Sequence, residues 1–248
     1  MLYSKISARV LSYHAVGAGT SPMTVTRENF EQQMTEVAER WTPVDLRAFR
    51  AAQRDPANWP ADAVLVTFDD ALECVFTDAY PILERLGIPF TIFVPTALVG
   101  DEFTLRGERH RMMSWSQIGE VVASGKGVCG SHTQHHRLVP ELSGAEVGVE
   151  LADSKRELEA RLGTECFSFC YPKARVDGQA MRRVRSAGYE FAFGAYGRTS
   201  FGTPMLRLRR LQIELGHDLD DFRRLLGAPG YPLRARVQDI VWGYQSLG

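Results

Sequence analysis

The sequence predicts a single α/β domain, a closed or nearly closed seven-stranded (β/α) barrel of the TIM-barrel type. Strand-like and helix-like segments alternate along the chain with no linker between them, which is typical of a parallel sheet covered by helices. Seven of these segments are strand-like. No glycine-rich dinucleotide fingerprint follows a strand, so a closed or nearly closed barrel is favoured over an open dinucleotide-binding sheet.

Short runs of apolar, β-branched and aromatic residues predict the strands. Turn-forming or polar residues bound the runs, and most positions within them are apolar, as in buried parallel strands. In chain order the predicted strands are residues 8–13, 63–68, 90–94, 128–130, 167–171, 191–194 and 208–213.

Capping residues and helical spacing of apolar residues predict the helices between the strands. A helix and tail over residues 214–248 complete the domain, and we expect the tail after residues 227–232 only to pack on the outside of the barrel. The signals in chain order are an N-cap at Thr26, a stop at Gly87, an N-cap at Ser114 with a stop at Gly125, a capping box of Ser143 and Glu146 opening a long helix that stops at Gly163, a stop at Gly188, and the spacing of Leu219, Phe222 and Leu226.

The composition excludes several classes of protein. With 29 basic and 30 acidic side chains the net charge is −1, so no positive field attracts nucleic acid or an anionic membrane. The longest apolar runs are strand-sized, far short of the roughly 20 residues of a membrane span. No signal-peptide pattern opens the chain, so we expect a cytoplasmic protein, and its oligomeric state is unknown. Uneven spacing predicts four buried thiols rather than disulfides or a zinc cluster at Cys74, Cys129, Cys166 and Cys170.

Two carboxylates, Asp69 and Asp70, follow the predicted strand 63–68 directly. They lie at the carboxyl edge, where barrel enzymes keep their active sites. Neighbouring strand-end residues point in different directions, so one carboxylate can bind a metal while the other accepts a proton. Taken alone, the pair favours a simpler interpretation, an acidic turn in which Asp70 caps the next helix.

Two histidines, His132 and His136, follow the predicted strand 128–130. A spacing of four residues places both imidazoles on one face of a helical turn, and two imidazoles with one carboxylate bind zinc and other divalent ions. Asp70 would be the third ligand, whereas His135 is out of phase. An isolated pair would favour surface histidines on a polar loop, but the occurrence of both polar clusters at strand ends favours a metal site.

Two segments carry a family resemblance, Thr-Phe-Asp-Asp-Ala at 67–71 and Ser-His-Thr-Gln-His-His at 131–136. They resemble the first and second motifs of the polysaccharide deacetylases of carbohydrate esterase family 4, the NodB-homology family. Weaker similarities extend the resemblance from about residue 11 to about residue 213. The resemblance implies a distorted barrel and one divalent metal ion, usually Zn²⁺. It further implies Asp69 as the base and Asp70, His132 and His136 as metal ligands.

The family's third motif is matched only in part by residues 169–174. Cys170 stands where an arginine is usual, and Lys173 stands where an aromatic residue is usual. A backbone N–H does not depend on the side chain, so the amide of Lys173 can still serve the oxyanion. We therefore place Tyr171, Pro172 and Lys173 at the substrate and oxyanion site.

The missing arginine has a candidate replacement in Arg210, which resembles the last-strand arginine of members that begin with a Tyr-His strand. The alternative is that Arg209 and Arg210 form a solvated strand end. The general acid could be His14, at the end of the first strand, and an imidazolium there would protonate the leaving amine near neutral pH. His217, beyond the last strand, is the alternative acid, and His14 could instead be structural.

The remaining aromatic residues are divided by their positions in the predicted elements. Trp41 and Trp115 lie on apolar helix faces and are expected in the core, whereas Tyr13, Tyr171 and Tyr196 are candidates to line a groove. Residues 100–113 have no clear periodicity and are predicted to form a surface loop, with a mobile lid as the alternative.

These observations favour a metal-dependent hydrolase that removes the acetyl group from an N-acetylated amino sugar in a glycan or a glycan precursor. One alternative is an enzyme of the same fold acting on a small cyclic or formyl amide. Another is a catalytically silent carbohydrate-binding protein, suggested by Cys170 and Lys173 in the third motif. The presence of Asp69 argues against this last alternative, because a binding protein has no use for an unliganded base.

Overall fold

The computed structural model describes residues 2–227, and the tail predicted beyond them lies outside the described residues. Its strands are β1 (Arg9–Tyr13), β2 (Ala15–Val16), β3 (Thr24–Val25), β4 (Thr42–Pro43), β5 (Ala63–Phe68), β6 (Phe90–Val94), β7 (Glu102–Leu105), β8 (Glu108–Arg111), β9 (Gly127–Ser131), β10 (Ser168–Cys170), β11 (Phe191–Tyr196) and β12 (Leu208–Gln212).

Seven parallel strands close into a barrel in the order β1, β12, β11, β10, β9, β6, β5. All five residues of β1 pair with β5, and this pairing closes the ring. The short strand β4 pairs with the first residues of β5 outside the ring. The predicted seven-stranded barrel is therefore confirmed, and each predicted strand lies within about two residues of its observed limits.

Helices surround the barrel, and most begin and end at the predicted caps. Thr26 and Ser114 accept hydrogen bonds from the first turns of their helices, and Gly87 and Gly163 end theirs in the left-handed conformation. The α-helices are α1 (Arg27–Arg40), α2 (Leu46–Ala52), α3 (Tyr80–Leu86), α4 (Trp115–Ala123), α5 (Gly144–Val147), α6 (Ser154–Leu162), α7 (Gly178–Ser186) and α8 (Leu219–Leu226).

Shorter helical turns complete these elements. A π-helical turn, Gly148–Asp153, interrupts the helix that was predicted to run unbroken from Ser143 to Gly163, and a second, Val75–Ala79, precedes α3. Short 3₁₀ turns lie at Thr96–Leu98, Val139–Glu141, Pro172–Ala174 and Met205–Arg207. No helix within residues 2–227 is both long enough and apolar enough to cross a bilayer.

Alternate residues of each barrel strand contribute to two different apolar clusters, as the two-residue period of a strand requires. On β5, Val66 and Phe68 pack in the large cluster shared with the helices, whereas Leu65 belongs to a smaller cluster inside the barrel. Phe49 of α2 packs in the same inner cluster. Asp69 continues the inward-facing row of β5, so the strand period directs its carboxylate into the barrel.

Residues 100–113 do not form the predicted surface loop. Strands β7 and β8 make an antiparallel hairpin in which Leu105 pairs with Glu108, and the two residues between them, Arg106 and Gly107, both have positive φ. A two-residue turn with positive φ at both positions matches the right-handed twist of a hairpin. The prediction was wrong because the alternation of Phe103 and Leu105 with polar residues, in a strand of four residues, is too short to establish a strand period.

The four cysteines are free thiols, as predicted, and three of them are buried. Burial raises the pKa of the partly buried Cys74 to about 11 and of the buried Cys166 to about 12, so both are protonated near neutral pH.

Candidate active site

A cavity of about 570 Å³ lies at the carboxyl ends of the barrel strands. Its walls include Asp69 and Asp70 after β5, His132 and His136 after β9, and Arg210 on β12. A second cavity of about 600 Å³ has residues around Tyr3 and Arg50 in its walls. None of the metal-ligand clusters in residues 2–227 lies in that second cavity, so the chemistry belongs to the first.

Asp70, His132 and His136 form a set of three ligand groups whose candidate atoms all lie within 4.8 Å of one another. Asp70 Oδ1 is 3.5 Å from His132 Nε2 and 3.3 Å from His136 Nε2. This oxygen is buried and has no hydrogen-bond partner. A buried acceptor facing two imidazole nitrogens, with no donor bound to it, fits a divalent cation.

The protonation of the two histidines supports the same interpretation. Burial lowers the pKa of His132 to about 4 and that of His136 to about 3, so both imidazoles are neutral near pH 7. His132 Nδ1 lies 2.8 Å from the carbonyl oxygen of Cys170, which leaves Nε2 as the ligand atom. Burial and the charge of Asp69 raise the pKa of Asp70, and a bound cation would oppose both effects.

Glu150, on the π-helical turn, holds the loop that carries both histidines. One of its carboxylate oxygens accepts hydrogen bonds from the backbone N–H groups of Gln134, at 3.0 Å, and His135, at 2.9 Å. The other carboxylate oxygen lies 2.9 Å from His135 Nδ1, so His135 faces Glu150 rather than the ligand set. Sequence reasoning missed Glu150, although an acidic residue three positions after Val147 on an apolar helix face was a usable signal.

Asp69, the predicted base, is held by Arg210. The guanidinium donates to both carboxylate oxygens, at 2.7 and 2.6 Å, and Arg210 is buried, whereas Arg209 is exposed. Burial raises the pKa of Asp69, but the charge and hydrogen bonds of Arg210 outweigh this effect and hold the pKa well below its usual range. Asp69 is therefore ionised near neutral pH. The alternative of a solvated strand end therefore holds for Arg209 but not for Arg210.

Cys170 occupies an inward position on β10 beside this ion pair. Its Sγ accepts a hydrogen bond from Arg210 at 3.0 Å and lies 3.7 Å from Asp69 Oδ2. A small side chain at this position leaves space for a guanidinium that arrives from β12 instead of β10. In the family's third motif an arginine usually stands at the position of Cys170. Here Arg210 supplies that positive charge from β12.

His14 lines the cavity, with Nε2 3.7 Å from Asp69 Oδ2. Burial lowers its pKa to about 4, although the charge of Asp69 opposes the shift. Burial therefore favours the neutral imidazole at His14, and the role of His14 as the general acid stays a prediction. His217 lies in the turn after β12, does not line the cavity, and accepts a hydrogen bond from the backbone N–H of Glu214 at Nδ1.

Of the three tyrosines predicted to line the groove, two face the helices and one faces the cavity, as the two-residue period of the strands determines. Tyr13 and Tyr171 face the helices, are fully buried, and donate hydrogen bonds to Gln33 and to the carbonyl oxygen of Leu206. Their predicted roles were wrong, including that of Tyr171 in substrate binding. Tyr196 lines the cavity and is 39% exposed.

The 3₁₀ turn that contains Pro172 and Lys173 lies at the cavity edge. Pro172 is buried, and Lys173 is exposed and lines the cavity. The role of the Lys173 amide at the oxyanion stays a prediction. Trp41 and Trp115 pack against the core as partly buried residues, as expected.

The β7–β8 hairpin forms one wall of the cavity. The ring of Phe103 contacts the imidazole of His136, with ring centroids 5.2 Å apart. On β8, Glu108 accepts hydrogen bonds from the backbone N–H groups of Thr20 and Ser21, which fastens the hairpin to the loop between β2 and β3.

Left-handed backbone conformations are concentrated in the loops around the cavity. Within residues 2–227, the non-glycine residues with positive φ are Asp70, Ala71, Arg106, Thr133, His136, Lys173 and Ala174. All except Arg106 follow β5, β9 or β10, and Arg106 is in the hairpin turn. These loops place the metal-ligand candidates, Asp70 and His136 among them, at the cost of local strain.

Comparison with known proteins bears on the identity of this site. The family model described as polysaccharide deacetylase matches residues 57–192. The chain belongs to the polysaccharide deacetylase family. The matched segment contains Asp69, Asp70 and both histidine ligand candidates, whereas His14 and Arg210 lie outside it. As a polysaccharide deacetylase, the protein is a hydrolase that acts on carbon–nitrogen bonds other than peptide bonds.

The sequence identity to individual relatives is low, but the similarity extends over most of each chain. The deacetylase is 26% identical over 212 residues to YxkH of Bacillus subtilis, covering 84% of this chain and 71% of the relative. It is 23% identical over 214 residues to poly-beta-1,6-N-acetyl-D-glucosamine N-deacetylase of Staphylococcus aureus, covering 77% and 73%. Among solved structures, IcaB from Ammonifex degensii is 27% identical with a TM-score of 0.76, covering 90% of this chain and 97% of that one. Streptococcus pyogenes deacetylase PplD, 20% identical with a TM-score of 0.78, covers 90% and 99% and shares the fold.

Proposed function

We propose that this deacetylase removes the acetyl group from an N-acetylated amino sugar in a glycan or a glycan precursor, with the help of one divalent cation, which we expect to be Zn²⁺. The observation that carries the proposal is the adjacency of two carboxylates with different partners. Asp70 faces two neutral imidazoles, and Asp69 is ionised and bound to Arg210 beside them. The names of the Staphylococcus aureus relative and of PplD support the same reaction class.

The cation would be held by Asp70, His132 and His136. When bound, a divalent cation polarises the amide carbonyl and lowers the pKa of water towards neutrality. Both effects are needed, because an amide is a poor electrophile and water at pH 7 is a poor nucleophile.

Asp69 accepts the proton of the attacking water at a carboxylate oxygen. Arg210 binds both oxygens of Asp69 and so fixes the plane of the carboxylate relative to the substrate. The same ion pair keeps Asp69 ionised, and therefore able to accept a proton, across the physiological pH range.

The tetrahedral intermediate carries a negative oxygen, and we assign its stabilisation to the backbone N–H of Lys173, a residue that lines the cavity. The leaving nitrogen then needs one proton, and the water has supplied one to Asp69. We assign the transfer to His14, because its Nε2 is 3.7 Å from Asp69 Oδ2 and its neutral ring can accept that proton and donate it onward. The products are acetate and a free amino sugar, so the proton count balances.

The test is acetate release by the purified protein from N-acetylglucosamine oligomers, nucleotide-linked N-acetyl sugars and small cyclic amides, with added Zn²⁺ and with a chelator. We expect release from the N-acetyl sugars, loss with the chelator and recovery with Zn²⁺. Release only from cyclic amides would overturn the assignment to amino sugars and favour the small-amide alternative. No turnover of any substrate, with Zn²⁺ bound, would favour a silent carbohydrate-binding protein.

The ligand assignment is tested by metal content. His132→Ala should lose the ion and the thermal stabilisation that Zn²⁺ gives the parent protein, because binding to the folded state adds to stability. His217→Ala is the matched control and should keep both. Full metal occupancy in His132→Ala would refute the ligand set.

A further inference from the structure

The second cavity, of about 600 Å³, lies at the opposite end of the barrel from the active site. Phe191, the first residue of β11, lines it, whereas Tyr196, the last residue of β11, lines the active-site cavity. The two residues are about 17 Å apart along the strand. The predicted base, the metal-ligand candidates and Arg210 all line the active-site cavity and not this one, so the deacetylase reaction gives the second cavity no role.

The floor of this second cavity is apolar and fixed in shape. Phe191, Met205 and Leu206 line it and are buried. Tyr189, which is also buried there, donates a hydrogen bond from its hydroxyl to the carbonyl oxygen of Leu151 at 2.9 Å, so its ring is held in place. A preformed floor of aliphatic and aromatic side chains suits the apolar or aromatic body of a small ligand.

One wall of the second cavity is formed by the segment that precedes β1. Leu2 is 71% exposed and Tyr3 is 54% exposed. The segment is nevertheless fastened, because the carbonyl oxygen of Leu2 accepts a hydrogen bond from the backbone N–H of Met205 at 2.9 Å and Tyr3 forms an antiparallel bridge with Pro204. Two adjacent large apolar side chains that stay exposed beside an apolar floor are typical of a binding groove.

Three exposed cationic side chains surround this apolar surface. Lys5 belongs to the segment before β1, Arg54 to the turn after α2, and Arg185 to the last turn of α7. Within residues 2–227, none of the three forms an ion pair with a carboxylate. Their positions on three separate elements bring positive charge to the cavity from several sides.

A fourth cation, Arg50, uses the carboxylates that lie nearby. Its guanidinium donates to Glu165 at 2.7 Å and to Glu190 at 2.9 Å. Among the described residues that line the cavity, Glu190 is the only acidic one. Even when Glu165 is counted, the four cations exceed the carboxylates and leave a net charge of +2.

We propose that this cavity is a second ligand site, for a small organic anion that joins an apolar or aromatic body to a carboxylate, phosphate or sulfonate. The body lies on the floor against Tyr3, and the acidic group lies between Lys5, Arg54 and Arg185. A guanidinium matches the planar fork of such an oxyanion, and an ammonium binds it as a point charge. The volume of the cavity is in the range of small-molecule sites. A neutral sugar chain would leave the three charges unmatched.

The test is a fluorescence titration with two dyes that share one aromatic body. Anilinonaphthalene sulfonate carries an anionic group, and phenylnaphthylamine has the same rings without it. We expect one sulfonate molecule to bind per chain, about 5- to 30-fold more tightly than the uncharged dye, as two or three exposed ion pairs would provide. Raising the salt concentration from about 0.05 to about 0.5 M should reduce this difference, because exposed charges are screened.

Competition identifies the acidic group that the site prefers. Naphthyl phosphate, naphthoate and the uncharged naphthalene methanol are each used to displace the sulfonate dye. We expect at least one of the two anions to displace the dye at a lower concentration than the alcohol does. Equal displacement by all three compounds would show that charge is not recognised and would overturn the inference.

Substitutions locate the binding site. Arg54→Gln and Arg185→Gln should each weaken binding of the sulfonate about 2- to 5-fold and leave the uncharged dye unaffected. Tyr3→Ala should weaken both dyes, because the aromatic body loses a wall. Arg182→Gln is the matched control, since Arg182 is an exposed residue of α7 that does not line the cavity, and it should change neither affinity. Thermal unfolding of each variant identifies any loss of folding.

Two further results would overturn the inference. One is an unchanged affinity for the sulfonate in the Arg54→Glu, Arg185→Glu double variant. The other is a loss of affinity in Lys173→Gln, which would place the dye in the active-site cavity instead. Because no readout uses acetate release, the second site and the deacetylase function can each fail without the other.

Discussion

Arg210 and Asp69, separated by 141 positions in the sequence, form a two-pronged ion pair inside the barrel, with N–O distances of 2.7 and 2.6 Å. They meet because β1 pairs with both β5 and β12, and the inward-facing rows of these two strands share the barrel interior. Arg210 therefore controls both the charge and the orientation of the predicted base.

Removing this guanidinium should move the pH dependence of activity. In Arg210→Gln, burial still raises the pKa of Asp69, whereas the charge and hydrogen bonds of Arg210, the largest effects that lower it, are lost, so the carboxylate takes up a proton at higher pH. The acidic limb of kcat/KM should shift to higher pH, and activity at pH 7 should fall about 10²-fold or more. Arg209→Gln, an exposed neighbour, should change neither. An unmoved acidic limb in Arg210→Gln would show that Arg210 does not set the pKa of the base.

Asp69→Asn should separate metal binding from turnover. The amide cannot accept the proton of water, so kcat should fall on the order of 10² to 10⁴-fold while the Zn²⁺ content stays near that of the parent protein. Metal content and acetate release are measured on the same preparation. Loss of the ion in this variant would mean that Asp69 is a ligand, and the roles of Asp69 and Asp70 would have to be exchanged.

His14→Ala should keep the ion and lose about 10²-fold in turnover of an N-acetyl sugar, because the leaving amine then lacks a proton donor. The loss should be much smaller with a nitrophenyl acetate ester, whose leaving group departs without protonation. His217→Ala serves as the control. An inactive His217→Ala beside a nearly active His14→Ala would transfer the role to His217, and an equal loss on both substrates would point to a structural His14.

Glu150→Ala should weaken metal binding about 10- to 100-fold, because the ligand loop loses the acceptor that holds its backbone. Glu150→Gln retains a carbonyl oxygen for the N–H groups of Gln134 and His135 and should recover most of the affinity. The measurement is a Zn²⁺ titration of the metal-free protein. Glu157→Ala, a surface substitution in α6, controls for a general effect on the helix. Equal affinities for the alanine and glutamine variants would rule out the loop-holding role.

Much of the fold could be predicted from the sequence, because buried parallel strands and capped helices leave local signals. The limits of β5 and β6 are the predicted ones. The direction of strand side chains also follows from the two-residue period. Once Asp69 is assigned to the barrel interior, Phe68 must face the helices, and its partner Tyr13 in the register of β1 and β5 must do the same.

The parts of the site that escaped prediction depend on contacts distant in sequence. Glu150 accepts hydrogen bonds from two backbone N–H groups because it lies on the π-helical turn, and such a turn has no simple sequence signature. Whether Arg210 or Arg209 faces inward depends on the register of β12, and the weak pattern around residues 207–210 did not determine it. The hairpin over His136 was missed because its strands are too short to establish a periodicity.

The left-handed residues around the cavity have a consequence for protein engineering. Each non-glycine residue held there costs the folded chain on the order of 1 kcal/mol, and Ala71 and Ala174 have no side-chain chemistry to justify the position. Glycine at these two positions would relieve the backbone clash but would let the adjoining loops sample more conformations. Any thermal stability gained by these substitutions would therefore be accompanied by greater mobility of the loops that position Asp70 and the Lys173 amide. Substitutions intended to raise the thermal stability of this enzyme should therefore be made at the amino ends of the strands, away from the active-site cavity.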